Sequence, residues 1–145
     1  MSVGKLRVKR RGIALELRRP AISEDKLVYV VIANRPFKYG KLSSRIAYIG
    51  TTKNGVYRIA ASAAKRAQLL RGHGIQGLTF HVLCCDGRQR MCTWKVLEAG
   101  LLGSFIEKYG GLPKGNRNKP SGGNLRRAHE KFNWPLLQRR IEEFS

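Results

Sequence analysis

Seven apolar residues run without a break from Leu27 to Ala33, and most of them are β-branched or aromatic. That run predicts a buried central strand, and it is far too short to span a bilayer. Residues 34–44 contain Pro36, Gly40 and two serines, which predicts a loop, and 45–51 predict a second strand paired with the first. Thr51, Thr52 and Asn54 are good helix-capping residues. Ile59, Ala60, Ala63, Ala64, Ala67 and Leu70 then recur at helical spacing, so a helix is expected over 55–71, stopped by Gly72 and Gly74. A third strand follows over 78–85, closed by the Asp86-Gly87 turn.

The strongest helical pattern spans 91–109, where Trp94, Leu97, Leu101, Leu102, Phe105 and Tyr109 form one apolar stripe. Residues 110–124 are rich in Gly, Pro and Asn and predict a basic loop without an acid. A helix over 134–143 closes the chain. The order β-β-α-β-α predicts an α+β fold, a small three-stranded antiparallel sheet flanked by helices. Upstream, Ile13, Leu15 and Leu17 alternate inside a basic stretch ended by Pro20. Residues 1–20 are therefore expected to form a basic arm or an edge strand, and 21–145 a single domain that includes the basic loop 110–127 and the C-terminal helix.

Composition narrows the function. Among 145 residues there are 29 Lys and Arg against 9 Asp and Glu, a formal charge of +20. Such a surface repels itself unless a polyanion neutralises it, and nucleic acid is the obvious partner. Charge alone does not separate an enzyme from a ribosome-associated RNA binder or a plain binding module. Cys84, Cys85 and Cys92 form no Cys-x-x-Cys pair, so reduced thiols in a cytoplasmic protein are expected rather than a metal finger. The N-terminal residues lack the apolar stretch of a signal peptide, and no membrane partner is expected.

Helical phase singles out one acid. Glu98 follows Trp94 by four and precedes Leu101, Leu102 and Phe105 by three, four and seven, so it shares their apolar face, whereas Glu107 falls on the solvent side. A carboxylate turned inward must be paired or coordinated. The two readings are an ion pair with arginine and a single divalent-metal ligand whose shell is completed by water and phosphate. Tyr48-Ile49-Gly50 ends the second strand, and Arg58 lies in the first turns of the next helix. Tyr48 and Arg58 are thus expected at one end of the sheet, with the start of that helix offering N–H groups to a phosphate and Arg58 clamping its oxygens.

Taken together and in this order, these residues resemble the GIY-YIG nuclease family over roughly 27–118. Leu27-Val28-Tyr29 stands at the first signature triplet, with only its tyrosine kept. Ala47-Tyr48-Ile49-Gly50 carries the second triplet intact. Arg58 falls at the family's arginine, Glu98 at its metal-binding glutamate, and Asn116 or Asn118 at a following asparagine. Ser62 stands where members often carry His or Tyr. The resemblance implies a DNA endonuclease with Tyr29, Tyr48, Arg58 and Glu98 as catalytic residues, Tyr48 as general base, and Mg2+ or Mn2+ on Glu98. Lys53 or Tyr57 would compensate for Ser62. Nucleic acid would be gripped by Gly50, Lys53, Arg35, Lys38, Lys41, Lys114, Asn116, Arg117, Asn118 and Lys119, with help from the arm at 7–19. DNA is the expected substrate and RNA the alternative; a homodimer or an accessory targeting protein would supply what one small site lacks.

Overall fold

The computed structural model describes residues 7, 8, 10, 12, 25–70, 72–85 and 93–145. Its sheet has three antiparallel strands, β1 (Leu27–Tyr39), β2 (Leu42–Thr52) and β3 (Leu78–Leu83), in the order β2-β1-β3. The uninterrupted apolar run is the central strand, and all seven of its residues are buried. A strand with a neighbour on each side and buried residues of both parities has no solvent face to write in polar residues. The α+β fold expected from the hydrophobic pattern is the one observed.

Residues 34–44 are not a loop. β1 continues to Tyr39, turns at Gly40-Lys41, and returns in β2 from Leu42. The register explains how a proline-bearing stretch stays in the sheet: Ile32 pairs with Ile46 and Phe37 with Ser44, so β1 spends more residues than β2 across an irregularity that holds Pro36. A bulge is where a residue without an N–H can sit. Asn34 fixes this bulge from far along the chain. Its Oδ1 accepts from the N–H groups of Gln76 (3.0 Å) and Gly77 (3.2 Å), and its own N–H donates to the Gly77 carbonyl at 3.1 Å.

Helix α1 (Gly55–Arg66) runs into a short 3-10 turn at Ala67–Leu70, within the span predicted as one helix. Asn54 occupies its N-cap position without a side-chain capping bond, and the Gly55 N–H donates instead to the Asp25 carbonyl at 2.7 Å. Helix α2 (Thr93–Tyr109) buries Trp94, Leu97, Leu101, Leu102, Phe105 and Tyr109, the predicted stripe. It also buries Ala99, Gly100 and Ser104, because two further helices pack on it, α3 (Gly122–Lys131) and α4 (Trp134–Phe144). Gly100 is what lets them approach. A Cβ there would come within 2.7 Å of Leu137 Cδ1 and 3.1 Å of Ala128 Cβ. α4 matches its expected span, whereas α3 is an addition that takes the last residues of the predicted 110–124 loop, started by Ser121, whose hydroxyl accepts from the Asn124 N–H at 3.2 Å.

The Asp86-Gly87 turn, Cys92 and all but four residues of the N-terminal arm lie outside the described residues. No helix among the described residues is long and apolar enough to cross a membrane.

Candidate active site

Tyr48 stands near the end of β2, half-buried, two residues before Gly50 on the same face of the strand. The glycine makes room for its ring. A Cβ on Gly50 would overlap the edge of the Tyr48 ring and come within 2.8 Å of the Tyr48 hydroxyl. Across the ladder Gly50 pairs with Tyr29. The Tyr29 and Tyr48 rings therefore meet over the missing side chain, with centroids 5.7 Å apart and planes inclined by 37°. The Tyr-Ile-Gly triplet is thus a geometric unit, in which the glycine clears the surface on which two tyrosines lie.

An open cleft of about 660 Å³ begins at Tyr48. Its walls come from three elements besides β2: Lys65, Arg66 and Gln68 at the end of α1 and beyond, Glu98 from α2, and residues 114–118 from the loop after α2. Among the described residues, Lys65, Arg66, Lys114 and Arg117 are its cations and Glu98 its only carboxylate. Glu98 is half-buried and accepts a hydrogen bond from the Thr51 side chain. Burial raises its pKa above the ordinary 4.5, while the Thr51 bond and nearby Lys95 pull the other way. Among the described residues no Lys or Arg forms an ion pair with it. Of the two readings offered by helical phase, the arginine pair is therefore not formed among the described residues. Glu107 is exposed, as helical phase placed it, and accepts from Trp134 Nε1 at 2.9 Å.

The Tyr48 hydroxyl is pushed up to about 12, first by burial and then by Tyr29; Arg66 opposes this and Glu98 adds to it. Tyr48 is therefore a neutral phenol near pH 7. The cation beside it is Arg66, whose Cζ lies 3.5 Å from the ring centroid. Arg58, the arginine singled out by spacing, is exposed near the start of α1 and does not line the cleft. Chain geometry explains the exchange. From Tyr48 to Thr52 the strand advances about 13 Å at about 3.3 Å per residue. Helix α1, packed on β2, comes back about 16 Å over its length at about 1.5 Å per residue. Its last turn thus reaches the level of Tyr48, and its first turn stays at the far end. The same geometry keeps the start of α1 away from the cleft, so its N–H groups do not face it. Ser62 Oγ donates back to the Arg58 carbonyl at 3.2 Å, in the manner of helix-interior serines.

The loop after α2 is pinned to the outer edge of β2. The Gly115 N–H donates to the Ala47 carbonyl at 2.7 Å, and the Lys114 N–H to the Tyr39 hydroxyl at 3.0 Å. Asn116 imitates a strand neighbour: its Oδ1 accepts from the Ile49 N–H at 3.0 Å and its Nδ2 donates to the Ile49 carbonyl at 2.8 Å. Both ends of that amide bond to the backbone, so Asn116 positions the loop beside Tyr48. Lys114, Asn116, Arg117 and Asn118 all line the cleft. Arg35, Lys38, Lys41, Lys53 and Lys119 are exposed outside it, Lys119 bordering a separate small cavity with Trp134. The Tyr57 side chain lies outside the described residues. Arg66, Lys65 and Gln68 were missed because spacing along the sequence gives no sign that a helix end returns to Tyr48.

Among the described residues no three His, Cys, Asp or Glu side chains gather as a metal-binding cluster. A hard cation held here would rest on one half-buried carboxylate, without an ion pair among the described residues, facing an open polar cleft. That donor set fits magnesium or manganese, which keep most of their water and take one or two carboxylates plus phosphate oxygens. No family model, curated protein or solved structure matches the chain.

Proposed function

We propose that this protein is a divalent-metal-dependent nuclease of the GIY-YIG type, hydrolysing phosphodiester bonds in DNA at the cleft that begins at Tyr48. One observation carries the reading. Tyr48 and Glu98, fifty positions apart, line a single cleft in which the carboxylate has no cationic partner among the described residues. Four cations line the same cleft as that carboxylate, a balance suited to a phosphate chain and a cation arriving together.

In this reading Tyr48 first gives its own proton to solvent, and the phenolate then takes the proton of the attacking water as the water oxygen bonds to phosphorus. The ester P–O bond breaks on the opposite side, and the leaving oxygen is protonated from solvent. Tyr29, against Tyr48 across Gly50, holds the phenol in place. A hydroxyl sitting at about 12 is a poor base at neutral pH, so added positive charge is required, and Arg66 supplies part of it. A magnesium or manganese ion on Glu98 would supply the rest, stabilising charge on the phosphate and the leaving oxygen. Lys114, Arg117 and Asn118 grip flanking phosphates without reading bases.

A second reading, a DNA- or RNA-binding module without catalysis, is favoured by the protonated Tyr48 and by Ser62, whose hydroxyl is spent on the helix backbone. Incubation with supercoiled plasmid in magnesium, manganese or chelator separates the two. Nicking that needs the metal is expected; binding without cleavage under every condition selects the module.

A further inference from the structure

Arg66 has the attributes of a group waiting for an anion. It is half-buried in a wall of the cleft, opposite the loop that carries Lys114 and Arg117. Its Nε–H is buried and has no hydrogen-bond partner among the described residues. Nor does a carboxylate there pair with it, and the chain has only nine acids to offer. A buried guanidinium N–H without an acceptor is costly and uncommon. With Cζ 3.5 Å from the Tyr48 ring centroid, the guanidinium rests over that ring. Held there it brings to the cleft a planar fork that matches two oxygens of a phosphate. Glu98 and Tyr48, the two residues assigned to the reaction, line the same cleft.

We propose that Arg66 is the arginine that binds the non-bridging oxygens of the phosphodiester to be cut, and that its stack on Tyr48 holds base and phosphate in one register. This rests on the nuclease reading above and departs from the resemblance, which points to Arg58. Arg58 is exposed, lies outside the cleft and meets nothing that would orient it toward Tyr48 among the described residues.

The test uses the full chain with Arg66→Ala, Arg66→Lys and Arg58→Ala, each checked for folding by circular dichroism. Arg66→Ala should lower kcat for plasmid nicking by about 100-fold or more, the usual effect of losing one group aimed at the transition state. Arg66→Lys keeps the charge but not the fork and should fall in between. Arg58→Ala should stay within a few-fold of the parent. A second readout needs no cleavage. In chelator, a short DNA duplex should shift the NMR signal of the Arg66 Nε–H, identified by its absence in Arg66→Lys. If the parent cleaves and the two alanine variants behave the other way round, the assignment is overturned while the nuclease reading stands. If the parent cleaves nothing yet the Nε–H signal moves with DNA, the phosphate contact is upheld and the nuclease reading fails. An unmoved signal overturns the contact.

Discussion

Helix α2 serves two regions built on opposite principles, and residues two apart divide them. Glu98 faces the cleft, where it is half-buried without an ion-pair partner among the described residues. Gly100 faces the seam with α3 and α4, where Leu137 and Ala128 approach closely enough to fill the space of an ordinary side chain. The seam is mainly apolar, with the buried Ser104 hydroxyl as an exception, and Phe105, Leu101 and Ile141 within the core are fully buried. The cleft is open and polar, and its charged groups are held in place by neighbours that leave them unsatisfied: Tyr48 by Gly50 and Tyr29, Glu98 by Thr51, Arg66 by a ring face. Close packing supplies stability in the seam; charged groups left unmet beside an open cleft mark where something can enter.

The comparison predicts that substitutions in the two regions separate activity from stability. Gly50→Ala should cost activity and leave the seam intact. The new methyl overlaps the Tyr48 ring, and a displacement of about 1 Å at a reacting group costs on the order of 100-fold. Nicking rates at matched folded concentration check this. Gly100→Leu should do the opposite, destabilising by about 1–3 kcal/mol through overpacking, with the rate per folded molecule kept. Urea unfolding and the same nicking assay measure both. A seam variant that lost activity while remaining folded would erase the distinction.

The stability of Glu98→Gln sharpens it further, and this effect is smaller. Because the folded pKa of Glu98 is raised above 4.5, its carboxyl is protonated in both states at lower pH and carries no penalty there. As pH rises, the unfolded chain releases its proton first, and stability is lost until the folded pKa is passed. The amide avoids that loss and can still accept from Thr51. Glu98→Gln should therefore melt above the parent at pH 7, with the gap closing toward pH 4. A lower Tm at pH 7 would mean that Glu98 is a structural partner and not a group held at a cost.

Much of this was legible in the sequence, for reasons that differ from residue to residue. The apolar run of β1 and the stripe of α2 announce themselves because hydrophobic period and burial are tied directly, and the same period turned Glu98 inward. The hairpin over 34–44 was hidden because its bulge is fixed by an Asn34 side chain reaching Gln76 and Gly77, a long-range bond that no local pattern encodes. Helix α3 lies in a segment whose Gly and Asn content reads as loop, and packing on Gly100 overrides that preference. Asn116 could be named from its place after the helix, but its bonds to Ile49 belong to tertiary structure. Arg66 was unreadable because the strand leads away from Tyr48 and the helix leads back, and sequence distance does not record a return.

The central claim is that Glu98 is a carboxylate kept for catalysis, and it can be measured directly. Supercoiled plasmid is incubated with magnesium and equal folded concentrations of the parent and Glu98→Gln. The parent should nick it, and the variant should be slower by about 100-fold or more, the scale set by losing one electrostatic group of the transition state. Equal rates would contradict the account.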